Sequence, residues 1–196
     1  MDTEASLAES ECWVAACSGD SDAFGSIWDL HRRRVWLQAC RLVDDREDAE
    51  DVTAVAFLEL WRRRAEVRVV NGSVLPWLLV TTSYVARNVS RSRRRYRAVL
   101  QRLPREEAGI DPWEVLSRYD PTGWSHELVV LLRSLHQKDL QLVTLVILEG
   151  LPVVEAAPLV GVSVTAARSR LSRFRARARN ELGARRTSAL WPEAGT

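Results

Sequence analysis

The 196 residues are 46 % hydrophobic and 28 % charged, with a formal net charge of +2, an apolar share that excludes a wholly disordered chain. No uninterrupted apolar run nears the ~18 residues of a membrane span, and residues 1–24 carry six acids and no Lys or Arg, unlike a secretion signal. Cys12, Cys17 and Cys40 include no C-x-x-C pair and fit reduced thiols better than a disulfide framework, so a soluble, cytoplasmic protein is expected.

The small net charge hides a segregation along the chain. Residues 84–105 hold eight Arg and no acid, residues 106–127 six acids against Arg118 alone, and residues 156–186 eight Arg against Glu181. Basic, acidic, basic is the order, which points to two separate surfaces facing polyanions.

Helical spacing dominates and no period-two strand pattern stands out, so the fold class is all-α. Residues 1–12 read as an N-terminal tail. Asp20 is a plausible N-cap for a helix reaching about Val43, with Phe24, Ile27, Trp28, Val35, Ala39 and Leu42 on one face. After the turn Asp44-Asp45 a second helix opens on Glu47, Asp48, Glu50 and Asp51, acids that complement a helix start. Ala49, Val52, Ala56 and Leu60 form its apolar stripe, with Phe57 and Trp61 beside it. Asn71-Gly72 marks a turn, and a third long helix starts near Leu75-Pro76 and runs through Trp77 and Val85 into the Arg-rich stretch.

Five Pro or Gly residues between 104 and 123 mark residues 104–127 as a linker. Leu128, Leu131, Leu132 and Leu135 open a second helical domain, and Leu140–Leu148, apolar nearly all round, reads as a short buried helix. Val153–Val160, the turn Gly161-Val162-Ser163 and the helix Val164–Arg179 make a helix-turn-helix pattern. The second helix of such a pair lies in the major groove. Arg168, Ser169, Ser172 and Arg173 share one of its faces; Arg pairs bidentately with guanine and Ser donates or accepts. A surface helix with solvated Arg is the blander reading of the same residues.

From Leu135 to Arg179, through "LEGLPVVEAAPLVGVS" and "RSRLSRFRAR", the chain resembles region 4 of the extracytoplasmic-function (ECF) sigma factors. The phrases "GDSDAFGSIWDLH", "DREDAEDVTAVAFLELWRRR" and "LPWLL…RNVSRSRRRYR" resemble region 2 of the same sigma-70 family, in the right order. The resemblance implies a tail at 1–12, a region 2 domain at 13–103, an acidic linker at 104–127, a region 4 domain at 128–183 and a tail at 184–196. Its implied partners are bacterial core RNA polymerase, through the β′ clamp and β flap, promoter DNA and an anti-sigma factor.

Carried over position by position, the resemblance puts polymerase binding on Asp48, Glu50, Asp51, Phe57, Leu58 and Trp61. Phe57 and Trp61 fit a core role equally well, and the acids also serve as plain helix-start stabilisation. It puts capture of the melted −10 element on Asn71, Ser73, Trp77, Arg87, Arg91, Arg94 and Arg95, since single strands call for aromatic stacking and cations. It puts the duplex −35 element on Ser163, Thr165, Arg168, Ser169, Ser172 and Arg173. The two elements lie about 25 base pairs apart, ~85 Å at 3.4 Å per pair. The 24 linker residues reach at most ~80 Å, so the tether spans both sites only when stretched. Four departures stand out: Thr165-Ala166-Ala167 at the recognition-helix start, Phe174 where a small residue is common, Pro158 inside the preceding helix, and His136 at a helix start.

No catalytic reading competes. His31, His126, His136 and the three Cys lack metal-ligand spacing, and no phosphate loop or nucleophile elbow is present. No enzyme activity, cofactor or metal is expected. The alternative is a stand-alone helix-turn-helix regulator that dimerises on a palindrome.

Overall fold

The computed structural model describes residues 2–100 and 124–183, with side chains from residue 7 onward except for Arg94 and residues 96–100. Most of the expected linker and the C-terminal tail, residues 184–196, lie outside the described residues.

Four helices build the first half: α1 (Asp2–Cys17), α2 (Ser21–Leu42), α3 (Arg46–Arg62) and α4 (Leu75–Leu100). Local chemistry sets their boundaries. Asp20 accepts from the amides of Asp22 and Ala23, and Asp45 accepts from Glu47, so each carboxylate takes up donors a helix start leaves free. Ser73 does the same for α4, its Oγ accepting from Leu75 N at 3.1 Å. Pro76 sits in that first turn, where its missing N–H costs nothing. The expected apolar stripes meet in the middle: Ile27, Val35 and Ala39 of α2, Ala49, Val52, Ala56 and Leu60 of α3, Leu78 and Leu79 of α4 are all buried. Phe57 is wedged edge-on between Phe24 and Trp28, with centroids 6.4 and 4.5 Å away. Residues 2–17 are helical where the sequence suggests a tail to residue 12; α1 docks on α2 through Trp13 and Ala16, both buried.

The second half holds α5 (His126–Ser134), α6 (Gln137–Leu142), a π-helical turn over Val143–Leu148, α7 (Val153–Val160) and α8 (Val164–Leu182). Leu142, Val143 and Leu145 are buried, in keeping with a segment apolar on every side. Gly161, at φ 67° and ψ 48°, takes the left-handed conformation that closes α7, and Ser163 caps α8 by accepting from Ala166 N. Pro158 lies in the second turn of α7, beyond the tolerated first turn. That helix nonetheless forms, being only eight residues long and anchored by buried Ala156, Ala157 and Val160.

The two halves are packed together in one arrangement. α5 lies on α2, while α6 and α7 lie on α4. No helix among the described residues is long and apolar enough to cross a membrane.

Candidate nucleic-acid interface

The α7–turn–α8 unit presents one polar face. Ser163, Thr165, Arg168, Ser169, Ser172 and Arg173 are all exposed, while Ala167, Leu171, Phe174 and Ala178 turn inward. Spacing by three and four residues on a helix sorts the two sets without exception. Arg170 and Arg177 are tied to the protein, to Asp139 at 2.7 Å and to Glu181 at 2.6 Å. Arg168 and Arg173 make no ion pair among the described residues.

The second cluster lies at the start of α4. Val70 and Ser73 exchange backbone hydrogen bonds of 3.0 Å around Asn71 (φ 51°) and Gly72 (φ 75°). Positive φ at both central residues makes a tight two-residue turn, which is why Asn-Gly stands here. Asn71 is exposed at the tip, and half-buried Trp77 lies one turn into α4. Arg91 and Arg95 are exposed further along and Arg87 is half-buried, while the Arg94 side chain lies outside the described residues. Ser73 is committed to capping α4, so its hydroxyl is less available than the sequence suggests.

The acidic helix splits in two. Glu50, Asp51 and Leu58 are exposed, Leu58 by 54 %, and Trp61 is half-buried, edge-to-face with Phe24 and under Arg64. Phe57 and Asp48 are not on this surface. Phe57, 2 % exposed, is a core residue, and Asp48, 6 % exposed, is turned to Arg93 at 2.6 Å. Burial pushes the Asp48 carboxyl above its usual range, helped by Asp45 and Asp51 and opposed by Arg93. Helical periodicity places 57 and 58 next to each other in sequence; only the aromatic neighbours on α2 decide which of them points inward.

Several polar residues that drew no notice in the sequence hold the halves together. Arg133, at the end of α5, donates to the carbonyls of Arg41 (2.8 Å), Cys40 (3.4 Å) and Val43, and pairs with Asp44 at 2.6 Å. The guanidinium thus closes the α2 C-terminus, where carbonyls stand without partners and positive charge is favoured. Buried Gln38 donates to Thr144 Oγ1 at 3.0 Å, Gln141 donates to Val80 O, and Arg34 pairs with Glu149. Arg87 donates to Leu135 O and Gln137 Oε1, and Asn71 donates to Glu155 of α7. A cavity of about 190 Å³ between the halves is lined by Arg87, Arg91 and Arg133 with Asp44 and Asp48. An Arg closing an apolar helix was the only sequence signal for Arg133.

A helical bundle with an arginine-bearing helix, packed against a helix-turn-helix, is the build of a sigma-type transcription factor. Residues 27–96 match the family described as sigma-70 region 2. The chain is 30 % identical over 177 residues to the "Probable RNA polymerase sigma factor RfaY" of Xanthomonas campestris, covering 85 % of this chain and 42 % of that protein. It is 27 % identical over 154 residues to the "ECF RNA polymerase sigma factor SigK" of Mycobacterium tuberculosis, covering 78 % of this chain and 81 % of that one. Among solved structures, CnrH in complex with the cytosolic domain of CnrY matches the fold with a TM-score of 0.62 at 22 % identity, over 90 % of this chain and 98 % of that chain. The sigma factor RpoE in complex with the anti-sigma factor NepR from Bartonella quintana matches at 0.54 and 20 %, over 82 % and 97 %. Residues 27–96 thus carry a sigma-70 region 2, and over most of its length the chain is similar to ECF RNA polymerase sigma factors. It spans less than half the length of the Xanthomonas relative.

Proposed function

We propose that this chain binds bacterial core RNA polymerase and directs initiation at promoters bearing −10 and −35 elements. The observation that carries the reading is the exposed face of α8. Five polar side chains capable of base or phosphate contact stand together on a helix that follows a left-handed turn, with Ser163 at its cap, the arrangement with which a helix-turn-helix enters the major groove. Asn71 at the turn tip, with Trp77, Arg87, Arg91 and Arg95, supplies an amide, a ring face and cations suited to a melted strand. The exposed part of α3, Glu50, Asp51 and Leu58, is the proposed polymerase contact.

The docked arrangement is a resting form in this reading. Asn71 and Arg87 are engaged by α7 and by the α5–α6 corner, so a DNA strand and the second half compete for them. Promoter elements ~85 Å apart require the halves to separate. An anti-sigma factor that stabilises this form is the proposed inhibitor, in line with RpoE having been solved as a complex with the anti-sigma factor NepR. Run-off transcription with core polymerase and promoter fragments tests the function. Promoter-specific transcripts that need this chain are expected; high-affinity footprints from the chain alone, without polymerase, would overturn the proposal in favour of a stand-alone regulator.

A further inference from the structure

Helix α1 lies outside the matched region 2, which begins at residue 27, yet it touches the connection between α3 and α4 at three points. Glu9, 7 % exposed, accepts from Val74 N at 2.8 Å, and the same oxygen lies 2.8 Å from His31 Nε2 of α2. Ser10 Oγ donates to Gly72 O at 3.2 Å. Cys17 Sγ donates to Arg64 O at 3.4 Å, and burial pushes that thiol up, opposed by Arg64, so it serves as a donor and not as a reactive thiolate. Positions 9, 10, 13, 16 and 17 form one helical face, the face buried on Trp13 and Ala16.

The points of attachment bracket the Asn71 turn. Gly72 O and Val74 N belong to the residues just after Asn71, and Val74 is fully buried, so its amide has no water to turn to. Asn71 itself holds the positive φ that the Asn-Gly turn favours, so the turn's shape is local and α1 fixes where it sits. A side chain meant to test one base must be aimed to within a fraction of an ångström by supports of this kind. His31 holds Glu9 from beneath, and both side chains are buried.

We propose that Glu9 and Ser10 are positioning residues for base selection at the −10 element: they fix the Asn71 turn and so set which flipped base it accepts. This deepens the promoter-reading function above and rests on it. The test uses the full chain with core polymerase on two promoter sets, one varied only at −10 and one only at −35. Glu9→Ala is expected to cut discrimination among −10 bases roughly tenfold, the scale of one lost charge-assisted hydrogen bond. Ser10→Ala is expected to cut it roughly threefold, as for a neutral bond. Discrimination at −35 and affinity for polymerase stay at wild-type levels in both. Glu9→Gln, which still offers Val74 N an acceptor, keeps most of the −10 preference.

Discrimination unchanged in both alanine variants overturns the proposal, as does a uniform loss on every promoter that tracks loss of helicity. Should Glu9→Ala fail to fold, Ser10→Ala decides alone, because it removes one partly buried bond. A wild-type chain that ignores −10 sequence while supporting transcription refutes the promoter-reading function itself, and is thereby distinguished from failure at Glu9.

Discussion

Asn71 Nδ2 lies 2.8 Å from Glu155 Oε2, joining the turn before α4 to the first helix of the helix-turn-helix, 84 residues away. The contact brings a proposed −10 reader against the proposed −35 module. A carboxylate on that amide also repels a phosphate backbone, so in the proposed function this pair of side chains sets the docked form against strand binding.

Arg133 is the stronger clasp. It makes hydrogen bonds to two α2 carbonyls and that of the C-cap Val43, and an ion pair with Asp44, with its side chain only 20 % exposed. Arg133→Ala is expected to loosen the docking by about 1.5–3 kcal/mol, the range for charged hydrogen bonds. Small-angle scattering should then report a larger radius of gyration at unchanged helicity. An unchanged radius would show that the apolar contacts alone hold the halves together.

Phe57→Ala and Leu58→Ala should part company. Emptying the Phe57 site, ringed by Phe24 and Trp28, is expected to cost about 3–5 kcal/mol in urea denaturation. Leu58, more than half exposed, should change stability by no more than about 0.5 kcal/mol. Polymerase binding should show the reverse order for variants that remain folded. Equal losses of stability would mean that α3 is rotated from the orientation described.

Arg168→Ala is expected to cost ~1–3 kcal/mol at one base position of the −35 element, with little effect elsewhere. Binding measured across single-base substitutions and several salt concentrations checks this. A loss equal on all sequences, with the salt slope reduced by about one, would assign Arg168 to a phosphate.

Two carboxylates should drive stability in opposite directions with pH. Burial works to raise Glu9, but the hydrogen bond and charge of His31, with the Val74 amide and Ser73, hold it below its usual range. Its contribution is therefore present above about pH 4.3 and lost as pH falls through the lowered value. Asp48, raised by burial, behaves in the opposite sense: its contribution is present below about pH 3.9 and is lost as pH rises through the raised value. In denaturation series from pH 3 to 7, Glu9→Gln should flatten the acid limb and Asp48→Asn should improve relative stability toward neutral pH. A steeper acid limb in Glu9→Gln contradicts the assignment.

The helix starts at Asp20, Asp45 and Ser163, the Asn71-Gly72 turn and the Gly161 stop were all legible before any coordinates, because each is settled by hydrogen bonds within about four residues. Apolar stripes on α2 and α3 were legible for the same reason. Helix α1 was not: its anchors on the turn are a glutamate and a serine, and an acidic, polar opening reads as a tail unless the buried His31 and the Val74 amide that receive Glu9 are known. Asp48 read as a surface residue, and Phe57 fitted surface and core equally well, for a related reason. Their periodicity permits either side, and the deciding neighbours, Trp28 and Arg93, are 29 and 45 residues distant.

Taken alone, then, the amino-acid order settled an all-helical chain with two arginine-rich segments, a helix-turn-helix and its exposed polar face, since short-range geometry and charge placement suffice for those. Folding in three dimensions decided what the order could not: that α1 braces the Asn71 turn, that Arg133 caps a helix in the other half, and that the two halves cover one another. Those outcomes depend on which distant surfaces meet, and desolvating a charge such as Glu9 or Arg133 is tolerable only where a specific remote partner waits.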